Sequence, residues 1–290
     1  MKKILLLVVS TFMLSCSSSD SDSSSVNEYF NLNYEGSTVN VTQFQAQRSE
    51  QMIAVTAVAD DGLGISFEIN ELGDIGNIHT YPTSSSSSAI YDLFSSYRNF
   101  PSHYFTLNLI ELDSQQKTVE VSFSGDLQED QYSLGGNTVQ IEGSFKVRYT
   151  DVQPEVSNLG FRANLGSNAF MSAISDQSGG FFSGSDLAIT YYNNSEYTLT
   201  LNTNHDNTST GTYNFNSGSS VNNVVLSKFD VTSEEYINYM TSGTLIITEK
   251  IVGFQFTVVK GTFSFTATNP NDSSQITVSN GDFVSSYINY

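Results

Sequence analysis

The feature that most constrains the fold is an alternation of apolar and polar residues with a period of two. Clear instances are Ile65–Ile69, Phe105–Leu109, Val119–Phe123 and Tyr197–Leu201. Alternation places every second side chain on one face, as in a β-strand with one buried face. Turn-forming residues separate the runs at Asp60-Asp61-Gly62, Gly135-Gly136-Asn137, Asn193-Asn194 and Asn280-Gly281. The chain is therefore predicted to be all-β, with Ala89–Tyr97 and Ser233–Met240 as the two segments able to form a helical turn.

An internal repeat predicts two domains. Phe30 matches Phe161. The strand Ile65–Asn70 matches Tyr197–Asn202, and Thr80-Tyr81 matches Thr212-Tyr213 at the same sequence separation. Further along the chain, in the same order, Thr106-Leu107 matches Thr244-Leu245 and Glu111 matches Glu249. Near the end of each copy, Gly143, Phe145 and Tyr149 match Gly281, Phe283 and Tyr287 respectively. A repeat of this length has the size of a domain. We expect two tandem antiparallel β-sandwich domains, residues 27–152 and 153–290, with a linker at Asp151–Glu155.

The N-terminus predicts export and a membrane anchor. Basic Lys2 and Lys3 precede the apolar run Ile4–Leu14, which has the layout of a secretory signal and is shorter than the roughly 20 residues of a membrane-spanning helix. Cys16, the sole cysteine, follows Ser15. This arrangement resembles a bacterial lipoprotein signal, in which the cysteine becomes the acylated first residue, with chains such as palmitate. Residues 1–15 are then the signal peptide and residues 16–26 a Ser/Asp-rich tether; a plain signal peptide with a secreted product is the rival interpretation.

The second repeat carries a recognisable series of strand and turn motifs. They are Phe161-Arg162-Ala163, Gly211-Thr212-Tyr213, Gly243–Thr248, Gly261–Phe265 and Ile276–Phe283. The series resembles a family of Bacteroidota lipoprotein domains of unknown function, built as antiparallel β-sandwiches. The resemblance covers 161–290 well and 27–152 more weakly, and it implies a fold and an envelope location without an activity. Asp20 and Asp22 resemble the acidic tether of surface-exported lipoproteins, so the expected location is the outer membrane, in either the periplasmic or the surface leaflet.

The charge balance excludes one class of partner. The chain has 30 acidic residues against 11 lysines and arginines, for a net charge of −19. Such a chain repels phosphate-rich partners, both nucleic acid and anionic lipid surfaces, because phosphate contacts need cationic groups, which are scarce here. Without cysteines after Cys16, the protein forms no internal disulfide. The expected partners are the membrane, through acylated Cys16, and an unidentified protein or glycan.

Neither catalytic nor metal-binding residues are predicted. The histidines His79, His103 and His205 lack a Gly-x-Ser-x-Gly elbow and are interpreted as surface or loop residues. Glu111 and Glu249 end matched strands and are interpreted as strand boundaries rather than as a glycosidase pair. Oxygen-rich loops that could hold calcium are Asp60-Asp61, Asn204–Asn207 and Asn269–Asp272, but these residue types are also those that tight turns require. No cofactor is expected.

The favoured function is therefore a non-catalytic binding or structural module, anchored by lipid in the cell envelope. A first alternative is a glycan-binding accessory lipoprotein of a polysaccharide-uptake system, which would expose tyrosines on one sheet face. The pairs able to do so are Tyr191 and Tyr192, Tyr236 and Tyr239, and Tyr287 and Tyr290, although tyrosine also caps hydrophobic cores. A second alternative is a hydrolase, which would need a concave pocket with convergent acids or a histidine.

Overall fold

Strands account for 66% of the described residues and helix for 2%, so the prediction of an all-β protein is confirmed. The computed structural model describes residues 26–83, 92–179, 185–204 and 206–288. The predicted signal peptide, the tether up to residue 25 and Cys16 lie outside the described residues. In the part that is described, no helix is long and apolar enough to cross a membrane.

The first sandwich contains ten strands in two layers. They are β1 (Tyr29–Tyr34), β2 (Ser37–Val39), β3 (Val41–Ser49), β4 (Met52–Ala59), β5 (Leu63–Asn70), β6 (Ile75–Pro82), β7 (Phe94–Ser95), β8 (Phe105–Asp113), β9 (Thr118–Gln128) and β10 (Thr138–Asp151), with helix α1 (Pro101–Tyr104) before β8. One layer has the order β2-β1-β10-β9-β8 and the other β3-β4-β5-β6-β7. Parallel pairing of β10 with β3 and a single contact between β7 and β9 join the layers into a closed ring around one core.

The second sandwich keeps its two layers separate. Its strands are β11 (Gly160–Leu165), β12 (Asn168–Met171), β13 (Ile174–Gly179), β14 (Asp186–Tyr192), β15 (Tyr197–Asn204), β16 (Gly211–Phe215), β17 (Asn223–Asp230), β18 (Glu235–Asn238), β19 (Met240–Val252), β20 (Phe256–Thr268) and β21 (Gln275–Ile288). The sheets have the orders β12-β11-β21-β20-β19-β16 and β13-β14-β15-β17-β18. Buried side chains from both sheets form one core, which defines a sandwich.

The two sandwiches share one strand order, with β16 as an addition at the edge of the second. The first five strands, β1–β5, correspond to β11–β15. Strands β6 and β7 correspond to β17 and β18, and strands β8–β10 correspond to β19–β21. The expected match of Thr80-Tyr81 in β6 with Thr212-Tyr213 is therefore wrong, because Thr212 and Tyr213 lie in β16, which pairs with β19 in the other layer. The matches of Phe30 with Phe161 and Gly143 with Gly281 fall on corresponding strands.

Three local expectations differ from the structure. Ser233–Met240 forms no helix, since β18 pairs with β17 there. Ala89–Tyr97 contributes the short strand β7, and its residues 89–91 lie outside the described part of the chain. Asn280-Gly281 is a bulge within β21 rather than a turn: Asn280 has φ 52° where the register with β20 shifts. Asparagine tolerates this left-handed conformation in a bulge as well as in a turn, so the residue type alone does not separate the two.

Aromatic rings over glycines organise both cores. Phe30, Phe67, Phe123 and Phe145 pack with centroid separations from 4.8 to 6.4 Å. Gly143 lies opposite Phe123 on the neighbouring strand, and a Cβ there would collide with the Phe123 ring and the Asn31 carbonyl oxygen. Gly281 stands in the same relation to Phe263 in the second sandwich. The repeated glycine is thus required by close approach of a ring to the backbone.

We expect Gly143→Ala to lower the free energy of unfolding by about 1–3 kcal/mol, because the added methyl group overpacks the core. Urea denaturation measures this loss. Gly135→Ala is the matched control, since a Cβ at that loop position meets only the Ser133 hydroxyl at 3.7 Å. Equal stability of the two variants would show that the Phe123 ring yields without cost.

Candidate functional site

The described histidines belong to different elements. His79 is half-buried in strand β6, not in a loop as expected, and its Nδ1 lies 3.2 Å from Asn77 Nδ2. Burial lowers the pKa of His79, which favours the neutral imidazole. His103 is exposed in α1, with its ring 5.4 Å from that of Phe100. His205 lies outside the described residues. The structure therefore does not bring His79 and His103 into one site.

The matched glutamates lie in separate sandwiches, each in an ion pair. Glu111 Oε2 is 2.9 Å from Lys146 Nζ, and Glu249 Oε2 is 2.7 Å from Lys260 Nζ. About half of each glutamate side chain is exposed. Both glutamates lie inside their strands, β8 and β19, so their interpretation as strand boundaries is wrong. Because they lie in different sandwiches, they do not form a shared pair of acids.

The oxygen-rich loops use their side chains to shape their own turns. Asp61 Oδ1 accepts from the Leu63 amide at 3.1 Å, and Asp272 Oδ1 accepts from the Ser274 amide at 2.8 Å. Asn204 Oδ1 accepts from the amides of Asp206 and Asn207. Such side-chain to backbone bonds are typical of Asx turns. Among the described residues, no group of three or more His, Cys, Asp or Glu is placed to hold a metal ion.

The paired tyrosines do not form an exposed platform. Tyr191, Tyr239 and Tyr287 belong to the core of the second sandwich, where the Tyr191 ring stacks on Phe161 at 4.1 Å. Tyr192 and Tyr236 are half-buried. Tyr290 lies outside the described part of the chain. The exposed tyrosine face that the first alternative requires is therefore not formed by the five tyrosines that are described.

Amide side chains join the two sandwiches. Asn194, in the turn after β14, accepts from the Ile75 amide at 2.8 Å through Oδ1 and donates to the Gly73 carbonyl at 3.2 Å. Ser102 Oγ in turn donates to the Asn194 carbonyl at 2.6 Å. On another side, Gln51 Nε2 donates to the Leu159 carbonyl at 2.8 Å. Through these hydrogen bonds, backbone N–H and C=O groups of one sandwich find partners on the other sandwich.

Arg98 is the central charge of this junction, with 7% of its side chain exposed. It donates to the Gly76 carbonyl at 3.0 Å and to Gln131 Oε1 at 3.2 Å within the first sandwich. Its Nε lies 3.6 Å from Asp176 Oδ2 in the second sandwich, which is ion-pair distance, and its guanidinium lies over the Tyr192 ring at 5.9 Å. Arg98 Nε is buried without a hydrogen-bond partner among the described residues, so the contact with Asp176 is an ion pair only. Burying an unpaired guanidinium is very unfavourable, so loss of Asp176 or Tyr192 would destabilise the junction.

A cleft of about 670 Å³ opens beside this junction. Phe100 of the first sandwich forms one side. The second sandwich supplies the other residues, from the β11–β12 turn, the β14–β15 turn and the start of β21: Leu165, Gly166, Ser167, Asn168, Ala169, Phe170, Ser195, Glu196, Tyr197, Gln275, Ile276 and Thr277. Its volume is that of a small-molecule site. No lysine or arginine is among these lining residues, so the cleft offers hydroxyl, amide and aromatic groups and one carboxylate, that of Glu196.

Two aromatic residues give the cleft its apolar surface. Phe100 has φ 52° and ψ 59°, a left-handed conformation that is strained for a phenylalanine. Tyr197 lies under Lys228 Nζ, 5.8 Å from the ring centroid, and Lys228 also pairs with Glu196 at 3.1 Å. Burial, followed by the neighbouring Tyr239 and Glu196, raises the pKa of Tyr197 to about 12.

Sequence reasoning missed this site. Asn193-Asn194 was recognised only as a turn, and Phe100, Asn168 and Gln275 carry no shared motif that would connect them. They meet because Asn194 and Ser102 hold α1 and the residue before it against the second sandwich.

We expect Arg98→Met to lower the free energy of unfolding by about 2–4 kcal/mol, because Gly76, Gln131 and Asp176 lose a buried cationic partner. Urea denaturation measures the loss. Arg148→Met, at an exposed arginine of the same sandwich, is the control and should change little. Equal effects of the two substitutions would contradict the role given to Arg98.

Comparisons with known proteins bear on the second sandwich. Residues 158–286 match a family model described as a domain of unknown function (DUF6252). No curated protein and no solved structure matches the chain. The second sandwich is thus similar to an uncharacterised family.

Proposed function

We propose that this protein is a non-catalytic binding protein of the bacterial cell envelope, anchored by lipid at Cys16, with its ligand site in the cleft beside Phe100. The observation that carries the proposal is the cleft itself. It is built by both sandwiches, and a hydrogen bond from Ser102 to the Asn194 carbonyl joins its two sides. A preformed site on a rigid scaffold binds without the cost of ordering it first.

The anchor rests on the N-terminal sequence. Cys16 follows a short signal-like run, and the polar stretch up to residue 25 provides a tether. The expected setting is the outer membrane of a member of the Bacteroidota, as the resemblance of the signal and the tether implies. Acylation by more than one chain would make attachment durable.

A binding role is favoured over hydrolysis by the side chains of the cleft. Glu196 is the one carboxylate among the described lining residues, and it is paired with Lys228. Glycosidases of the usual kind need two carboxyl groups about 5–10 Å apart. Among the described residues of the lining there is also no histidine to serve as base to Ser167 or Ser195.

The chemistry of the cleft favours a neutral ligand rich in hydroxyl groups, such as a glycan. Asn168 and Gln275 supply amides that can both donate and accept. Phe100 and Tyr197 supply apolar surface for the C–H face of a sugar ring. This second, finer proposal moves glycan binding from a tyrosine-rich sheet face to the cleft.

We expect the protein to bind members of an array of neutral oligosaccharides, and expect Gln275→Ala or Asn168→Ala to weaken that binding about tenfold by removing one hydrogen-bonding group. Titration calorimetry with the best array member measures the change. Gln115→Ala, in an exposed turn of the first sandwich, is the matched control. Binding that survives both cleft substitutions would place the ligand elsewhere, and failure on the whole array would refute the glycan.

We expect Cys16→Ser to move the protein from the membrane fraction to the soluble fraction of cells, because the acylated sulfur is lost. Immunoblotting of the fractions measures this. Ser17→Ala, next to it in the tether, is the control. Membrane retention of the Cys16→Ser protein would contradict lipid anchoring, and proteolysis of intact cells would then distinguish a surface location from a periplasmic one.

A further inference from the structure

The hairpin between β19 and β20 ends in an apolar tip. We use "the tip" for residues 251–256, whose side chains are exposed although four of the six residues are large and apolar. Phe254 is 96% exposed and Val252 69%. Ile251 and Phe256 are 47% and 41% exposed, and Ile288, which pairs with Phe256, is 39% exposed. Clustered large apolar side chains in water mark a contact surface.

The duplicated fold supplies an internal comparison. The corresponding hairpin of the first sandwich, between β8 and β9, turns through Ser114-Gln115-Gln116-Lys117. Asp113 Oδ1 there accepts from the amides of Gln115 and Gln116 at 2.7 and 2.9 Å, as in an ordinary solvent-exposed turn. The strand order therefore does not require an apolar tip, and the second hairpin carries one as a separate feature.

The tip has the properties of a segment that enters a bilayer. From Ile251 to Val259 the sequence holds no charge, and Lys250 and Lys260 stand at its two ends. Lys260 Nζ is already paired with Glu249 Oε2 at 2.7 Å, and Lys250 Nζ donates to the Thr208 carbonyl at 2.9 Å. The attraction of the tip to a bilayer therefore comes from its apolar side chains. The Gly253 amide donates to the Phe256 carbonyl at 2.8 Å, so part of the turn backbone is already paired. Paired backbone is what hydrocarbon demands.

A second copy of the chain fits the tip less well. A stable interface buries roughly 800 Å² on each partner. A hairpin end with five exposed apolar side chains is too small and too convex to supply that area. A bilayer needs no complementary shape.

We propose that the tip inserts its apolar side chains into the lipid bilayer that carries the protein, as a second point of attachment. The proposal uses the envelope location inferred above and is independent of the cleft. Because its test uses unacylated protein, failure of the tip and failure of the Cys16 anchor give separate results.

Insertion can be read from fluorescence, since the chain has no tryptophan. In mature protein carrying Cys16→Ser, Phe254→Trp places a single reporter in the tip and Gln115→Trp places one in the polar hairpin. With vesicles of phosphatidylethanolamine and phosphatidylglycerol, we expect a blue shift and quenching by brominated acyl chains for the tip reporter only. Absence of the shift, or equal shifts for both reporters, would overturn the proposal.

The energetic test is flotation with the same vesicles. The double variant Val252→Ser with Phe254→Ser should reduce the partition coefficient at least about tenfold, since two apolar side chains no longer leave water. Gln115→Ser with Gln116→Ser is the control and should leave it unchanged. Unchanged flotation of the tip variant would overturn the proposal. A blue shift that grows with protein concentration in the absence of vesicles would do so too, because it would assign the tip to self-association.

Discussion

The arrangement of this protein depends on the burial of one guanidinium between two β-sandwiches. Arg98 is nearly inaccessible, and its charge is met by a carbonyl and an amide of its own sandwich and by Asp176 and Tyr192 of the other. A buried cation that loses these partners is left without solvation, which costs far more than an exposed ion pair contributes. Asp176 and Tyr192 thus favour the packing of the two sandwiches that the structure shows.

That packing creates the cleft. Phe100 lies two residues after Arg98 and enters a left-handed conformation immediately before α1. Ser102 then bonds to the turn that carries Asn194, and the same turn continues into Glu196 and Tyr197. The residues that hold the junction and the residues that line the cleft thus alternate along the same short segments. A change in packing at Arg98 would therefore shift the cleft residue Phe100, because Phe100 lies only two residues after Arg98 in the chain.

Duplication explains how one chain combines different surfaces on a shared fold. Corresponding strands preserve the aromatic ring over a glycine, at Phe123 with Gly143 and at Phe263 with Gly281, because that contact forms the core. Edges and turns do not bear this constraint, since their side chains meet solvent. The second sandwich accordingly gains β16 and an apolar hairpin tip, while the first keeps a polar turn and closes its two layers at β10 and β3.

The sequence by itself determined the all-β class and most of the duplicated strands, because a period of two is a local property that each strand carries in its own residues. It also determined the glycine positions of β10 and β21. Only the tertiary structure decided that β17, not β16, corresponds to β6, that Asn280 is a bulge, and that Arg98, Phe100 and Asn194 meet. Pairing partners and junction contacts join residues far apart in the chain, and their energies come from burial and desolvation that exist only once both surfaces are in place.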